Sequence, residues 1–295
     1  MTTDVTRDEI AEQNGVLIGP YRAPRNLAQV QKGSIHDDAT ASKLGFRGGT
    51  VAGSIHMEQF PPVLLRAFGP RWFETGSLSC YFRSATLDGE RVRALAQIPP
   101  AGAADSQINV WMERDDGLQV LEGTASVGAS AGLSMLRRKL AEPREPGEIR
   151  ILSQVSAGQR LDPVPTRVDR DDPQVSPRLK ALTEPLDWYT THSPWGGAVL
   201  NPGLLVHAMV AAQAGMRVGR AVGLYGAIEV RHHAGPVFHD RDYVVDGEVL
   251  AIGVTPKTEY VWFETTLRDR PDAAPVASMI MMLRFMKASS SLWAG

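Results

Sequence analysis

Two passages in opposite halves of the chain present the same features in the same order. In the first, Gly48, Gly49 and Gly53 lead into an apolar helix carrying His56 and Met57. In the second, Gly196, Gly197 and Gly203 lead into an apolar helix carrying His207, then Ala208 and Met209. The correspondence continues downstream. SLSCYFRSATLDGERVRALAQI follows the first helix and IEVRHHAGPVFHDRDYVVDGEVLAI the second; SQINVWMERDDGLQVLEGTASVG then answers to TEYVWFETTLRDRPDAAPVASMIMMLRFM. A period of about 150 residues marks a duplicated domain, whereas solenoid periods run to about 20–50. Each copy reads as Gly-rich loop, apolar helix, strand pair, strand pair. The simplest way to bury such a helix lays it across the concave face of an antiparallel sheet. Open sheet edges are liabilities, and two such sheets joined edge to edge would remove two of them. The expected class is therefore α+β. The expected domains are residues 1–135 and 151–295, with 136–150 as linker.

Composition narrows the function classes. With 43% hydrophobic and 22% charged residues, the chain has the balance of a soluble globular protein. A formal net charge of −2, with both signs interspersed, leaves no basic footprint for nucleic acid. Cys80 is the only cysteine, so no intrachain disulfide can form, which fits a reducing cytoplasm. It lies in the strand-like SLSCYF and reads as a small buried apolar residue. The N-terminal MTTDVTRDEIAEQNG lacks a basic-then-apolar leader pattern and is expected to form a short helix or frayed arm. The weakly polar run 196–216 is interrupted by Asn201, Pro202, His207 and Gln213, so it reads as a core helix rather than a membrane span. GxGxxG and Walker A patterns are absent, which leaves nucleotide binding by those devices unsupported. His232, His233 and His239 lie on a strand and its turn. The adjacent His232 and His233 point to opposite faces, and no metal-ligand spacing occurs. The expectation is no metal and no cofactor.

Turn chemistry supplies the coarse elements. Gly15–Tyr21 reads as a strand ended by Gly19-Pro20. Asp88-Gly89 and Asp116-Gly117 each sit between apolar runs and read as hairpin turns. Pro61 and Pro62 kink or restart the first apolar helix. Residues 129–150 open with a helix and end rich in Pro, Glu and Arg; this is the expected connection.

The stretch from Ser34 to Phe60, SIHDDATASKLGFRGGTVAGSIHMEQF, is where chemistry is expected. Its glycines let a backbone approach a ligand closely. The helix that follows adds unpaired amides and the positive end of a dipole. Such a junction suits a developing oxyanion or a phosphate. A Gly-rich turn before a helix is equally what packing alone would produce.

His36-Asp37-Asp38, Ala41, Gly45-Phe46-Arg47-Gly48-Gly49 and Gly53 resemble the segment following the catalytic histidine in the MaoC-like (R)-specific enoyl-CoA hydratases. SAGQRLDPVPTRVDRDD in the second half is similar to that family's domain-opening strand and loop. The resemblance is carried by roughly residues 34–60, and the order of elements agrees along the chain. It implies a double hot-dog fold, in which each antiparallel sheet wraps a long central helix and the halves join as a pseudo-dimer. It also implies thioester substrates on coenzyme A or acyl carrier protein, acid/base lyase chemistry (hydration or dehydration), no metal, and a homo-oligomer, a dimer of double hot-dogs. The family's signature is Asp-x-Asn-Pro-x-His. Here Gln31 stands at the Asp position, Gly33 at the Asn and Ser34 at the Pro. Glutamine takes up no proton in the usable range, so the carboxylate–imidazole dyad is not intact.

The candidates follow. His36 carries over to the family's catalytic His, with a capping histidine as the bland alternative. Asp37 or Asp38 either orients that ring, stands in for the lost acid, or caps a short helix starting near Ala39. Arg47 meets a pantetheine phosphate, closes the pocket by an ion pair, or lies on the surface. Gly48, Gly49 and Gly53 line the loop, and Gly53 is the oxyanion-donor candidate, against close helix–sheet packing. His56 and Glu58 lie on the central helix. Glu58 would be the water-activating base of a hot-dog thioesterase, the second function class, or a rim residue. His192 and Trp195 would line a second pocket. His207 reads as a core histidine. The third class is a non-catalytic fold that binds an acyl ligand.

Overall fold

The computed structural model describes residues 9–129, 132–144 and 147–294. Its strands are β1 Ala11–Gln13, β2 Val16–Ile18, β3 Gly76–Phe82, β4 Val92–Gln97, β5 Ser106–Arg114 and β6 Gln119–Val127 in the first half. The second half has β7 Arg160–Thr166, β8 Gly223–His232, β9 Tyr243–Val254, β10 Thr258–Arg268 and β11 Ala277–Met286. All belong to one antiparallel sheet in the order β1-β2-β4-β5-β6-β3-β8-β11-β10-β9-β7. The orders 2-4-5-6-3 and 7-9-10-11-8 are the same arrangement read outward-in from each side. The halves meet where β3 pairs with β8, from Ser77↔Arg231 to Tyr81↔Ala227. This is the edge-to-edge fusion expected from the repeat.

Helices α1 Asp38–Lys43, α2 Gly53–Met57, α3 Pro61–Phe68 and α4 Trp72–Thr75 belong to the first half. Next come α5 Met135–Ala141 in the connection, then α6 Ser176–Lys180 and α7 Pro202–Met209. One apolar core runs through both halves and includes Met57, Phe60, Leu64, Leu204, Leu205 and Met209. The central helix of the first half is interrupted: α2 ends at Met57 and α3 restarts with Pro61 and Pro62 in its first turn. Proline lacks the amide that a helix interior needs, but the first turn has no intrahelical use for it. In the second half α7 continues as a tighter 3-10 turn over Val210–Gly215.

The alternation expected of a sheet covered on one face appears in β9, where buried and half-buried residues alternate throughout. β3 is different: Gly76–Cys80 are consecutively buried, so both faces are covered. The inner cover is the helices and the outer cover is α5. Leu136 of α5 is fully buried among Ala227, Trp262, Ile280 and Met282. The amides of Met135 and Leu136 donate to the hydroxyls of Thr124 and Ser79 at 3.0 and 3.2 Å, which docks α5 on β6 and β3. The connection is thus part of the seam.

Two expectations are corrected. Asp88-Gly89 is not a hairpin turn, because β3 and β4 are not neighbours; β4 lies between β2 and β5. The chain instead crosses over β5 and β6, leaving the β3 edge free for β8. The N-terminal arm is not helical at 11–13. Those residues pair with β2 about Asn14-Gly15, both at positive φ (52° and 76°), the left-handed pair that a tight hairpin requires. Residues 1–8 lie outside the described residues. Asp116-Gly117 does turn a hairpin between β5 and β6.

Candidate functional site

His36 sits in the turn before α1, half-buried. Its Nδ1 is 2.7 Å from the Thr50 carbonyl oxygen. A carbonyl only accepts, so Nδ1 is the donor, which leaves Nε2 as the ring nitrogen available to a ligand. Nε2 has no partner, and no carboxylate pairs with the ring, among the described residues. The backbone around it is fixed from several sides. Asn26 Nδ2 donates to the His36 carbonyl at 2.8 Å, and Asn26 N donates to Asp88 Oδ1 at 2.7 Å. Thr50 N donates to the Ile35 carbonyl at 2.9 Å and Val51 N to the Thr86 carbonyl at 2.9 Å. Gly49 packs so closely on the His36 carbonyl that a Cβ there would overlap it. The glycine pair is a close-approach device.

The neighbouring acids serve the turn. Asp37 occupies the N-cap position of α1, accepting from Thr40 Oγ1 at 2.7 Å and Lys32 Nζ at 3.3 Å. The Thr40 hydroxyl, then Lys32 and the Gly33 amide, hold its carboxyl below the usual range against the opposing effect of burial. Asp38 accepts the Gly49 amide at 2.7 Å. That amide is therefore committed to the loop, and among the described residues the amides of Gly53 and Ser54, which open α2, have no partner. Gly48 packs against Asp38 and Leu87. Arg47 is exposed and forked onto Glu90 at 2.7 and 2.9 Å. This hydrogen-bonded pair holds the Glu90 carboxyl down to about 2.

On α2, Gly53 faces the ring of Phe82; a Cβ would come within 2.5 Å of it. His56 is buried, with Nε2 2.8 Å from Thr86 Oγ1. Burial pushes its pKa down to about 4, so it is neutral at pH 7. Glu58 is buried and points to the other half, where Arg178 Nε donates to it at 2.6 Å. Arg178 Nη2 also reaches Ser54 Oγ at 3.2 Å. Burial raises the Glu58 carboxyl and Arg178 opposes the shift. Gly203 on α7 lies against Glu58, Arg178 and the Ser54 carbonyl, where any side chain would overlap them. The two central helices touch at this ion pair.

Equivalent hydrogen bonds align the halves residue by residue. Thr50 N bonds the Ile35 carbonyl as Val199 N bonds that of Trp188; Val51 N bonds Thr86 as Leu200 N bonds Val237. Tyr189 thus stands where His36 stands, Asn201 where Ala52 does, and His207 where Glu58 does. His207 is therefore the counterpart of Glu58 and not of His56, as the order of glycines alone had paired them. Tyr189 is fully buried and its hydroxyl has no partner among the described residues. Phe73 packs against it and against Trp188 and Trp195. Trp195 Nε1 donates to Glu74 Oε1 at 2.8 Å, tying this aromatic cluster across the halves. His192 is exposed, with Nδ1 3.2 Å from the Gly196 carbonyl. His207 is exposed on α7. The second-half loop is filled with aromatic rings where the first-half loop presents an imidazole.

Sequence reasoning did not find Arg178, Thr86, Gln59 or Tyr189. Only three-dimensional equivalence points to Tyr189, since Trp188-Tyr189 and Ile35-His36 share no residue. Among the described residues, no three His, Cys, Asp or Glu side chains are placed to hold a metal, and no helix is long and apolar enough to cross a membrane. His232, the last residue of β8, packs on Trp72 and Phe73, while His233 just beyond it bonds Ser278 Oγ at 2.9 Å.

One sheet wrapped around two central helices, with a pseudo-two-fold seam, defines a double hot-dog protein. No family model matches the chain, and no curated protein matches it. Solved structures do. One from Chloroflexus aurantiacus J-10-fl, described as a MaoC domain protein dehydratase, is 13% identical; the match covers 94% of this chain and 96% of that one at a TM-score of 0.60. A conserved hypothetical protein of Mycobacterium tuberculosis, described as having a double hot-dog fold, is 14% identical over 93% and 96%, TM-score 0.56. A protein described as a MaoC-like dehydratase is 15% identical over 90% and 97%, TM-score 0.52. These are likenesses of fold across nearly the whole of both chains.

Proposed function

We propose that this protein acts on an acyl thioester, carried on coenzyme A or an acyl carrier protein, by lyase chemistry at the first-half loop. The single observation that carries the reading is the His36 ring. Its Nδ1 is tied to the Thr50 carbonyl, and its basic Nε2 is uncommitted. A single imidazole suffices for both proton transfers of a syn elimination. Nε2 takes the α-proton of a β-hydroxyacyl thioester, and the negative charge moves onto the thioester oxygen. The amides of Gly53 and Ser54, at the opening of α2, are the donors for that oxygen. The imidazolium then protonates the β-hydroxyl, water departs and the double bond forms; hydration is the reverse. Description of similarly folded proteins as MaoC-like dehydratases supports the reaction class. The hydrolase reading through Glu58 loses its support, because that carboxylate is buried in the Arg178 ion pair.

A second reading, acyl-ligand binding without turnover, is favoured by one observation: Gln31 leaves the His36 ring without a carboxylate partner. Incubation with crotonyl-CoA and longer enoyl-CoA thioesters, followed by loss of the enoyl chromophore, separates the two. His36→Ala and His36→Gln should lower turnover by about 10²–10⁴, the usual worth of general acid/base catalysis. Full turnover in both variants would remove His36 from the reaction. No turnover in the wild type, with thermal stabilisation by acyl-CoA, would establish binding alone.

A further inference from the structure

The segment from Gly53 to Phe60 holds two polar side chains that the fold leaves unsatisfied. His56 is 3% exposed; its Nε2 meets Thr86 Oγ1, but Nδ1 has no partner among the described residues. Gln59 is 4% exposed, and neither Oε1 nor Nε2 has a partner among the described residues. The Gln59 amide N–H donates to the His56 carbonyl at 3.3 Å, so the two are one turn apart. Residues three apart on a turn share a face. The other polar residues here are spoken for: Ser54 and Glu58 bond Arg178 across the seam.

Burying a carboxamide with no partner is among the costlier things a core can do, and an apolar side chain of the same shape would avoid it. Leucine and methionine fill that role at many neighbouring core positions. Retaining glutamine beside a second unsatisfied group points to a guest that pairs with both. The guest must be neutral, because the imidazole is neutral and Arg178, the guanidinium that bonds this segment, is engaged by Glu58. It must be able to accept from Nε2 of Gln59 and to donate to, or accept from, the remaining atoms. A hydroxyl meets these terms fully and a keto oxygen in part; a carboxylate or a plain hydrocarbon does not.

Position adds the rest. Thr86, which holds His56, also holds Val51 N, next to the carbonyl that orients His36. Six residues separate Gly53 from Gln59, on the order of 9 Å along a helical path. A thioester whose oxygen lies at the opening of α2 would bring the middle of its acyl chain to this pair.

We infer that His56 and Gln59 form a subsite for a neutral oxygen substituent, a hydroxyl or keto group, part-way along the acyl chain. The protein then selects oxygenated acyl thioesters over plain ones. This rests on the acyl-thioester reading above and specifies its substrate class.

The test is calorimetric titration of the full chain with octanoyl-CoA and with each of its monohydroxylated isomers. At least one isomer with the hydroxyl beyond the β-carbon should bind tenfold or more tighter than octanoyl-CoA. Gln59→Leu should abolish that preference and His56→Phe should reduce it. Gln59→Leu should also melt at the same or a higher temperature than the wild type, since it removes an unpaired amide; if it fails to fold, Gln59→Met carries the same comparison. Equal affinity for octanoyl-CoA and every isomer, or a preference that survives Gln59→Leu, would overturn the subsite and leave the acyl-thioester reading standing. Failure of every acyl-CoA to bind would overturn both.

Discussion

Tyr189 shows what became of the second loop at the level of one side chain. It takes the place of His36, yet its hydroxyl is fully buried with no partner among the described residues, and burial beside Glu58 and Glu184 raises its pKa. A phenol that cannot ionise and is held by nothing contributes its ring and loses by its oxygen. Tyr189→Phe should therefore leave stability unchanged or raise it by about 1–3 kcal/mol, read from urea denaturation. Glu184 makes the complementary case. It is buried, and Arg22 of the first half donates to it at 2.9 Å. Desolvation outweighs that pairing and pushes its pKa from 4.5 up to about 7. The folded chain thus holds a proton that the unfolded chain has released. This stabilisation is fully present below pH 4.5 and is lost as pH rises through about 7. The loss amounts to about 3 kcal/mol. Glu184→Gln should flatten this part of the stability–pH curve measured from pH 4.5 to 8. His36, Asp37 and the glycines were legible because they are close in sequence. Tyr189 and Glu184 were not, since their environments are made by residues from the opposite half.

At the scale of elements, the crossing of α2 and α7 decides how the halves sit. Glu58 and Arg178 meet at 2.6 Å with Gly203 pressed against both. Removing one partner of a buried pair strands the other charge, at a cost of about 3–5 kcal/mol. Arg178→Met should fall in that range at pH 8. The penalty should shrink towards acid, because burial already raises the Glu58 carboxyl and a protonated Glu58 needs no counter-charge. Denaturation of the variant at two pH values checks both statements. The strand pattern shows where local reading works and where it stops. Asp116-Gly117 joins strands that are adjacent in the sheet, so turn chemistry identified the hairpin. Asp88-Gly89 has the same dipeptide, but its flanking strands have other partners; β3 pairs with β6 and β8. Neighbours in sequence were assumed to be neighbours in space, and the competition for the β3 edge lay outside any local window. The break between α2 and α3 was legible because proline cannot supply the missing amide at any interior position.

The whole molecule is held by the seam, and its contributions are of different kinds. β3 and β8 share a ladder, α5 lies across the outer face, and Glu58–Arg178 and Arg22–Glu184 cross the inner side. Trp195 of one half bonds Glu74 of the other within a single aromatic cluster. Separating the halves would expose two strand edges and part Phe73 from Trp188, Tyr189 and Trp195. An exposed edge of this length is a template for pairing with any other chain. Residues 1–144 or 147–295 expressed alone should therefore aggregate or self-pair through β3 or β8 rather than remain monomeric. Expressed together, they should recover a one-to-one complex that elutes with the intact chain on size exclusion and shows its thermal transition. Stable monomeric halves, each with native circular dichroism, would mean that the seam is a contact between finished domains. The structure argues otherwise, since Phe73 of the first half packs against Trp188, Tyr189 and Trp195 of the second.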